Sequence, residues 1–160
     1  MNNLIEIPYG LNGKIFRSPM PFGSFDYGQT AIQEMKAAGV TMVVNLLEDS
    51  EWWRRGDVDL PRLYQENQIK MLHFPVEDFG VPHDLDSYLE KVNEAVSLAA
   101  SGEIIAIHCF AGIGRTGTFL VAMACSIFGW SPLEAVFWLR QFIPGAVENE
   151  TQLKFVMQSF

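Results

Sequence analysis

The sequence predicts a three-layer α/β domain with a central, mostly parallel sheet flanked by helices. Three observations carry that expectation. Short apolar runs rich in β-branched residues, at 40–47 and 104–107, have the continuous hydrophobicity of strands buried on both faces. Segments with apolar residues at helical spacing alternate with them. Glycine and proline mark the boundaries, with no repeat or low-complexity tract between.

The elements follow in chain order. Residues 4–8 and 14–17 read as short strands joined by a turn through Gly10 and Gly13, closed off by Pro19 and Pro21. A helix is expected over 27–38, stopped by Gly39, with Ile32 and Met35 inward. After the strand at 40–47, residues 48–59 read as irregular. Their Trp52-Trp53-Arg54-Arg55 run is either a rim that receives a phosphopeptide or, preferred, a surface loop whose aromatics cover the core. A short helix at 61–67 has proline in its first turn. A strand at 69–74 leads into a loop, 75–82, bounded by Pro75 and Pro82. Leu85, Leu89, Val92, Val96 and Ala99 give the helix at 84–100, closed by Gly102. The strand at 104–107, a glycine-rich bend and a helix at 115–128 follow. Ser131-Pro132-Leu133-Glu134 is a capping box that starts a helix to about 142. Pro144-Gly145 breaks it, and a last helix covers 149–158.

Composition narrows the class. The 160 residues, 49% hydrophobic and 19% charged, read as one domain over 1–160 that buries a core without disulfide or metal staples. A formal charge of −8, from 11 basic and 19 acidic residues, argues against general nucleic-acid or anionic-membrane binding. No basic region followed by an apolar run opens the chain, and no apolar segment approaches spanning length, so neither a signal peptide nor membrane insertion is expected. Cys109 and Cys125 are the two cysteines, and a reduced, cytoplasmic setting fits them. His73 and His83 form no ligand cluster at metal-binding spacing, and no metal or other cofactor is expected.

The chemistry lies in residues 108–118, His-Cys-Phe-Ala-Gly-Ile-Gly-Arg-Thr-Gly-Thr. A strand, a tight glycine loop and a helix N-terminus gather backbone N–H groups around an anion. The cradle runs through Phe110, Ala111, Gly112, Ile113, Gly114 and Arg115. Its field favours Cys109 as a thiolate nucleophile. Arg115 offers a planar fork to phosphoryl oxygens, and Thr116 a hydroxyl beside the sulfur. Together they favour attack at phosphorus through a phosphocysteine. The alternative, a merely structural glycine turn with a small cysteine, does not account for nucleophile, clamp and threonine coinciding.

His108-Cys109-x5-Arg115-Thr116-Gly117 resembles the signature loop of the cysteine-dependent protein tyrosine phosphatases, and the chain length resembles their small dual-specificity branch, in its compact prokaryotic form. The likeness extends to Asn12–Gly13–Lys14–Ile15–Phe16–Arg17–Ser18, to the loop at 75–82, and to Pro144-Gly145-Ala146-Val147 followed by Gln152. It implies Asp78 as general acid, then base, with Glu77 the adjacent competitor; His108 as a residue that orders the loop by hydrogen bonding; and Gln152 as the group that orients water. Asn149 and Gln152 are also at capping-box spacing, a competing reading for Gln152. Ile143 stands where family members often carry arginine, which weakens a second anionic contact. Cys125, Trp130 and Trp138 read as core, with a disulfide between Cys109 and Cys125 the sharper alternative for the thiols.

The expected function is therefore phosphomonoester hydrolysis on a phosphoprotein or phosphopeptide. The neutral loop interior speaks against polyanionic substrates. Phosphoinositide, inositol-phosphate or RNA 5′-phosphate hydrolysis by the same chemistry is the alternative, and a phosphate-binding module without turnover or a sulfurtransferase the readings from other classes.

Overall fold

In the computed structural model, which describes residues 2–160, the chain forms a five-stranded sheet between two helical layers. The strands are β1 (Ile5–Ile7), β2 (Lys14–Ser18), β3 (Met42–Asn45), β4 (Lys70–His73) and β5 (Ile104–His108), in the order β1-β2-β5-β3-β4. Only the β1–β2 pair is antiparallel; β2–β5, β5–β3 and β3–β4 run parallel. β5 is thus the central strand, and its neighbours all deliver their following loops to the same end of the sheet. Ligands of open α/β sheets bind at that end.

Alternation of side chains along the strands feeds the two layers. Val44, Ile105 and Ile107 point into a core with α4 (Leu85–Ala100), α5 (Gly114–Phe128), α6 (Pro132–Leu139) and α7 (Glu150–Ser159), through residues such as Val92, Phe119, Val136 and Val156. Val43 and Ala106 point the other way, against α1 (Ala31–Ala37), α2 (Asp49–Gly56) and α3 (Leu60–Glu66), through Ile32, Met35, Trp52, Leu60 and Tyr64. The three-layer expectation is met.

Three expectations needed correction. Residues 48–59 are not irregular: α2 occupies most of them, with the Glu51 carboxylate accepting from the Glu48 N–H at 2.8 Å. Its acids in the first turn and arginines in the last complement the helix dipole, although Trp52 is its one buried apolar side chain, too little for an apolar stripe. The helix expected over 27–38 is broken. A 3₁₀ turn at Tyr27–Gln29 precedes α1, and Gly28 there has φ +68°. Trp130 is partly buried and outside the core, stacking on Phe128 with ring centroids 4.3 Å apart, whereas Trp138 is partly buried but packs against the core, as Cys125 does. Cys125 is likewise partly buried and, like Cys109, a free thiol. Among the described residues, no single helix is long and apolar enough to cross a membrane.

Candidate active site

β5 ends at His108, and the loop to α5 begins with Cys109. Among the described residues, no backbone N–H from Phe110 to Arg115 donates to another protein group. These donors stand unpaired above a buried cysteine, the arrangement expected of an anion cradle. Gly112 permits the bend: its φ is +76°, and a Cβ there would lie 2.5 Å from the Ser18 carbonyl oxygen.

His108 braces the loop from below. It is fully buried, with Nε2 2.6 Å from the Tyr64 hydroxyl and Nδ1 2.9 Å from the Cys109 carbonyl oxygen. A carbonyl only accepts, so Nδ1 carries the proton and Nε2 accepts from Tyr64. Burial holds the imidazole neutral, with its pKa pushed down to about 4, and burial raises the Tyr64 phenol so that it stays a donor. Fixing the Cys109 carbonyl orders the start of the loop.

Arg115, in the first turn of α5, is buried. Its Nη1 donates to Glu51 Oε2 at 2.7 Å and to the Val76 carbonyl at 2.9 Å; Nη2 donates to Glu51 Oε1 at 3.0 Å and lies 3.1 Å from Asp78 Oδ1. The end of the fork is therefore held by Glu51, Nη2 also meets Asp78, and among the described residues Nε is the donor without a protein partner. Thr116 is fully buried, and its hydroxyl has no hydrogen-bond partner.

The loop at 75–82 after β4, the acid loop for its candidate acid Asp78, lies against this site. Asp78 Oδ2 accepts from Arg55 Nη2 at 2.7 Å, and Oδ1 accepts from the Phe79 N–H at 3.0 Å. Arg115 on the Val76 carbonyl, Asn149 on the Phe79 carbonyl at 2.9 Å and Gln152 on the Gly80 carbonyl at 3.4 Å tie its backbone down. Asp78 lines the same cavity as Cys109 and Arg115; Glu77 is exposed and does not. That cavity, of about 290 Å³, is walled by Phe25, Phe79 and Phe110. The Arg55 guanidinium lies 4.2 Å from the centre of the Phe110 ring.

Gln152 is buried, and its side-chain amide is engaged by backbone at both ends: Oε1 accepts from the Glu148 N–H at 3.0 Å while Nε2 reaches Gly80. Asn149 caps α7 by accepting from the Gln152 N–H at 2.8 Å. Ile143 is buried in the core, so that position presents nothing to the cavity. Among the described residues no group of three or more His, Cys, Asp or Glu side chains is arranged to hold a metal ion.

Residues 25–159 match the family described as the dual specificity phosphatase, catalytic domain. The chain belongs to this family. It is a compact, cysteine-dependent phosphatase domain. Protein tyrosine phosphatase domain-containing protein 1 of Danio rerio is 27% identical over 135 residues, which cover 79% of this chain and 19% of that protein. The chain spans between 17% and 60% of the length of five such curated relatives. Among solved structures, Tk-PTP in its active form is 29% identical with a TM-score of 0.74, covering 92% of this chain and 94% of that one. Kinase associated phosphatase, with serine in place of its catalytic-site cysteine, shares the fold at a TM-score of 0.84 and 21% identity, covering 96% of this chain and 90% of that one.

The sequence pointed to the loop at 108–118 and to Asp78, which share one cavity; it did not single out Glu51, set Arg55 aside with a surface-loop reading, and did not single out Glu148, all of which reach Arg115, Asp78 or the cavity. For the first two a signal existed. Glu51 and Arg55 are four residues apart within a segment whose charges are ordered as a helix prefers.

Proposed function

We propose that the domain hydrolyses phosphomonoesters on proteins, phosphotyrosine foremost, through a phosphocysteine on Cys109. The observation that carries this reading is the row of unpaired N–H groups from Phe110 to Arg115 over a buried cysteine, in a cavity that also holds Arg115 and Asp78. Cys109 attacks phosphorus. The loop N–H groups and Arg115, through Nε and through Nη2 once it turns from Asp78, hold the equatorial oxygens, more tightly as charge builds in the transition state. Asp78 gives a proton to the departing oxygen and later takes one from water. The Thr116 hydroxyl is buried and bonds neither Cys109 nor any other group, so stabilising the sulfur as it leaves requires that hydroxyl to turn toward it. His108 acts at one remove, through the Cys109 carbonyl. Gln152 links the chain at Glu148 to the acid loop, and the family's water-orienting role would require its amide to leave one of those two backbone contacts.

Phenyl walls at Phe25, Phe79 and Phe110 favour an aryl ester, and the neutral loop residues favour a phosphoprotein over a polyanionic lipid or nucleotide end. A free Cys109 thiol requires a reducing compartment, for which the cytoplasm is the natural choice. The test is turnover of phosphotyrosyl, phosphoseryl and phosphothreonyl peptides, phosphoinositides and 5′-phosphorylated RNA, with and without vanadate. Vanadate-sensitive hydrolysis, fastest on phosphotyrosine and abolished by Cys109→Ser, is expected. Full hydrolysis by Cys109→Ser would remove the nucleophile assignment, and faster turnover of a phosphoinositide would move the substrate class.

A further inference from the structure

Glu148 reaches the cavity from the turn between α6 and α7, and nothing in the mechanism above uses it. Its side chain lies directly over Gly114: a Cβ on that glycine would meet the Glu148 carboxylate. Among the described residues, that carboxylate has no hydrogen-bond or ion-pair partner. Asp78 differs, because both its oxygens already accept from donors.

The backbone that carries Glu148 is held in place against its own preference. Val147 has φ +59°, a conformation that costs a β-branched residue on the order of 1–3 kcal/mol and persists only when its surroundings impose it. Arg140 imposes it, donating from Nε to the Ala146 carbonyl at 2.9 Å and from Nη2 to the Val147 carbonyl at 3.1 Å. Gly117 allows the close approach, since a Cβ there would lie 2.7 Å from the Val147 nitrogen. Gln152 then fixes the Glu148 N–H.

We propose that Glu148 is a second proton donor and acceptor of the phosphatase site, sharing with Asp78 the protonation of the leaving group and the deprotonation of water. The inference rests on the phosphocysteine reading above. In the first step the S–P bond forms, the P–O bond to the leaving group breaks, and the Glu148 carboxyl proton goes to that oxygen. In the second, water attacks phosphorus, its proton returns to Glu148, the S–P bond breaks and phosphate leaves. The charged groups around the carboxylate are Asp78 on the acid loop, Arg115 on α5 and Arg55 on α2, with the Cys109 thiol in the same cavity. Partial burial and the Asp78 charge raise the Glu148 pKa, and Arg115 opposes them. The protonated form needed for the first step therefore persists to higher pH than for a free glutamate.

The experiment measures kcat against pH for wild type, Asp78→Asn, Glu148→Gln and the double variant, on phosphotyrosine and on an aryl phosphate with a nitro-activated leaving group. Each single variant is expected to lose about tenfold on phosphotyrosine, and the double variant on the order of a hundredfold or more, the range for removing general acid–base help. Asp78→Asn should keep a kcat that falls as pH rises through the Glu148 pKa, and the double variant should lose that limb. Losses should shrink on the activated substrate, whose leaving group needs no proton. Glu148→Gln with unchanged kcat and pH profile in both backgrounds would overturn the second donor alone. A wild type without vanadate-sensitive turnover, or Cys109→Ser with full turnover, would overturn the underlying reading as well.

Discussion

Glu51 and Arg115 form a bidentate pair, Oε2 to Nη1 at 2.7 Å and Oε1 to Nη2 at 3.0 Å, with side chains only 1% and 2% exposed. Desolvating two charges is unfavourable, so such a pair adds little net stability, but removing one partner strands the other. Glu51→Ala is therefore expected to lower the unfolding free energy by about 3 kcal/mol, and to cost about a hundredfold in kcat/KM as Arg115 loses its orientation. Urea denaturation and phosphotyrosine turnover read the two effects. An unfolding free energy within about 1 kcal/mol of wild type would mean the pair does not hold the guanidinium.

The phosphatase loop was legible because strand, cysteine, glycines and arginine are contiguous: the β-branched run of β5 leads straight into Cys109 and the first turn of α5. Asp78 was singled out over Glu77 by the loop's resemblance to the family, and Asp78 is the one of the two that lines the cavity. Glu51 was hidden, and Arg55 read as part of a surface loop, because α2 buries one apolar side chain, and hydrophobic periodicity is blind to such a helix. Glu148 was hidden for another reason. Its direction depends on a positive φ at Val147, which a β-branched residue does not advertise and which Arg140 imposes from the end of α6.

Arg55 couples α2 to the acid loop, through its 2.7 Å bond to Asp78 and its place over Phe110. Both partners of the ion pair are about a quarter exposed, so its contribution to stability is small, under about 1 kcal/mol. Its effect should appear in turnover instead. Arg55→Ala is expected to lower kcat on phosphotyrosine about tenfold while changing an activated aryl phosphate little, because what is lost is the placement of the proton donor. Equal losses on both substrates would point to a damaged phosphate cradle.

His108 makes stability depend on pH. Its folded pKa, about 4, lies below the ordinary 6.5. Between those values the unfolded chain binds a proton that the folded chain does not, so stability rises with pH there and is lost as pH falls from about 6.5 towards about 4. The full shift corresponds to about 3 kcal/mol. Urea unfolding at a series of pH values should show that slope, and His108→Asn should flatten it. A wild-type stability constant from pH 7 to pH 4.5, after the acids are accounted for through the variant, would mean the imidazole is not held neutral.

Two glycines of the loop should respond oppositely to the same added methyl group. At Gly112 the obstacle is the Ser18 carbonyl oxygen, 2.5 Å from the new Cβ, and the φ of +76° costs an L-residue a further 1–2 kcal/mol, roughly. Backbone cannot step aside, so Gly112→Ala should shift the cradle and lower kcat/KM at least about a hundredfold. At Gly114 the obstacle is the Glu148 side chain from Cγ outward, which can rotate away, and its φ is not in the left-handed region. Gly114→Ala should therefore keep wild-type stability, yet displace the Glu148 carboxylate and reproduce the altered pH profile of Glu148→Gln. Thermal unfolding and the kcat–pH curve separate the outcomes. A Gly114→Ala protein that unfolds earlier would mean the loop backbone, not Glu148, had given way.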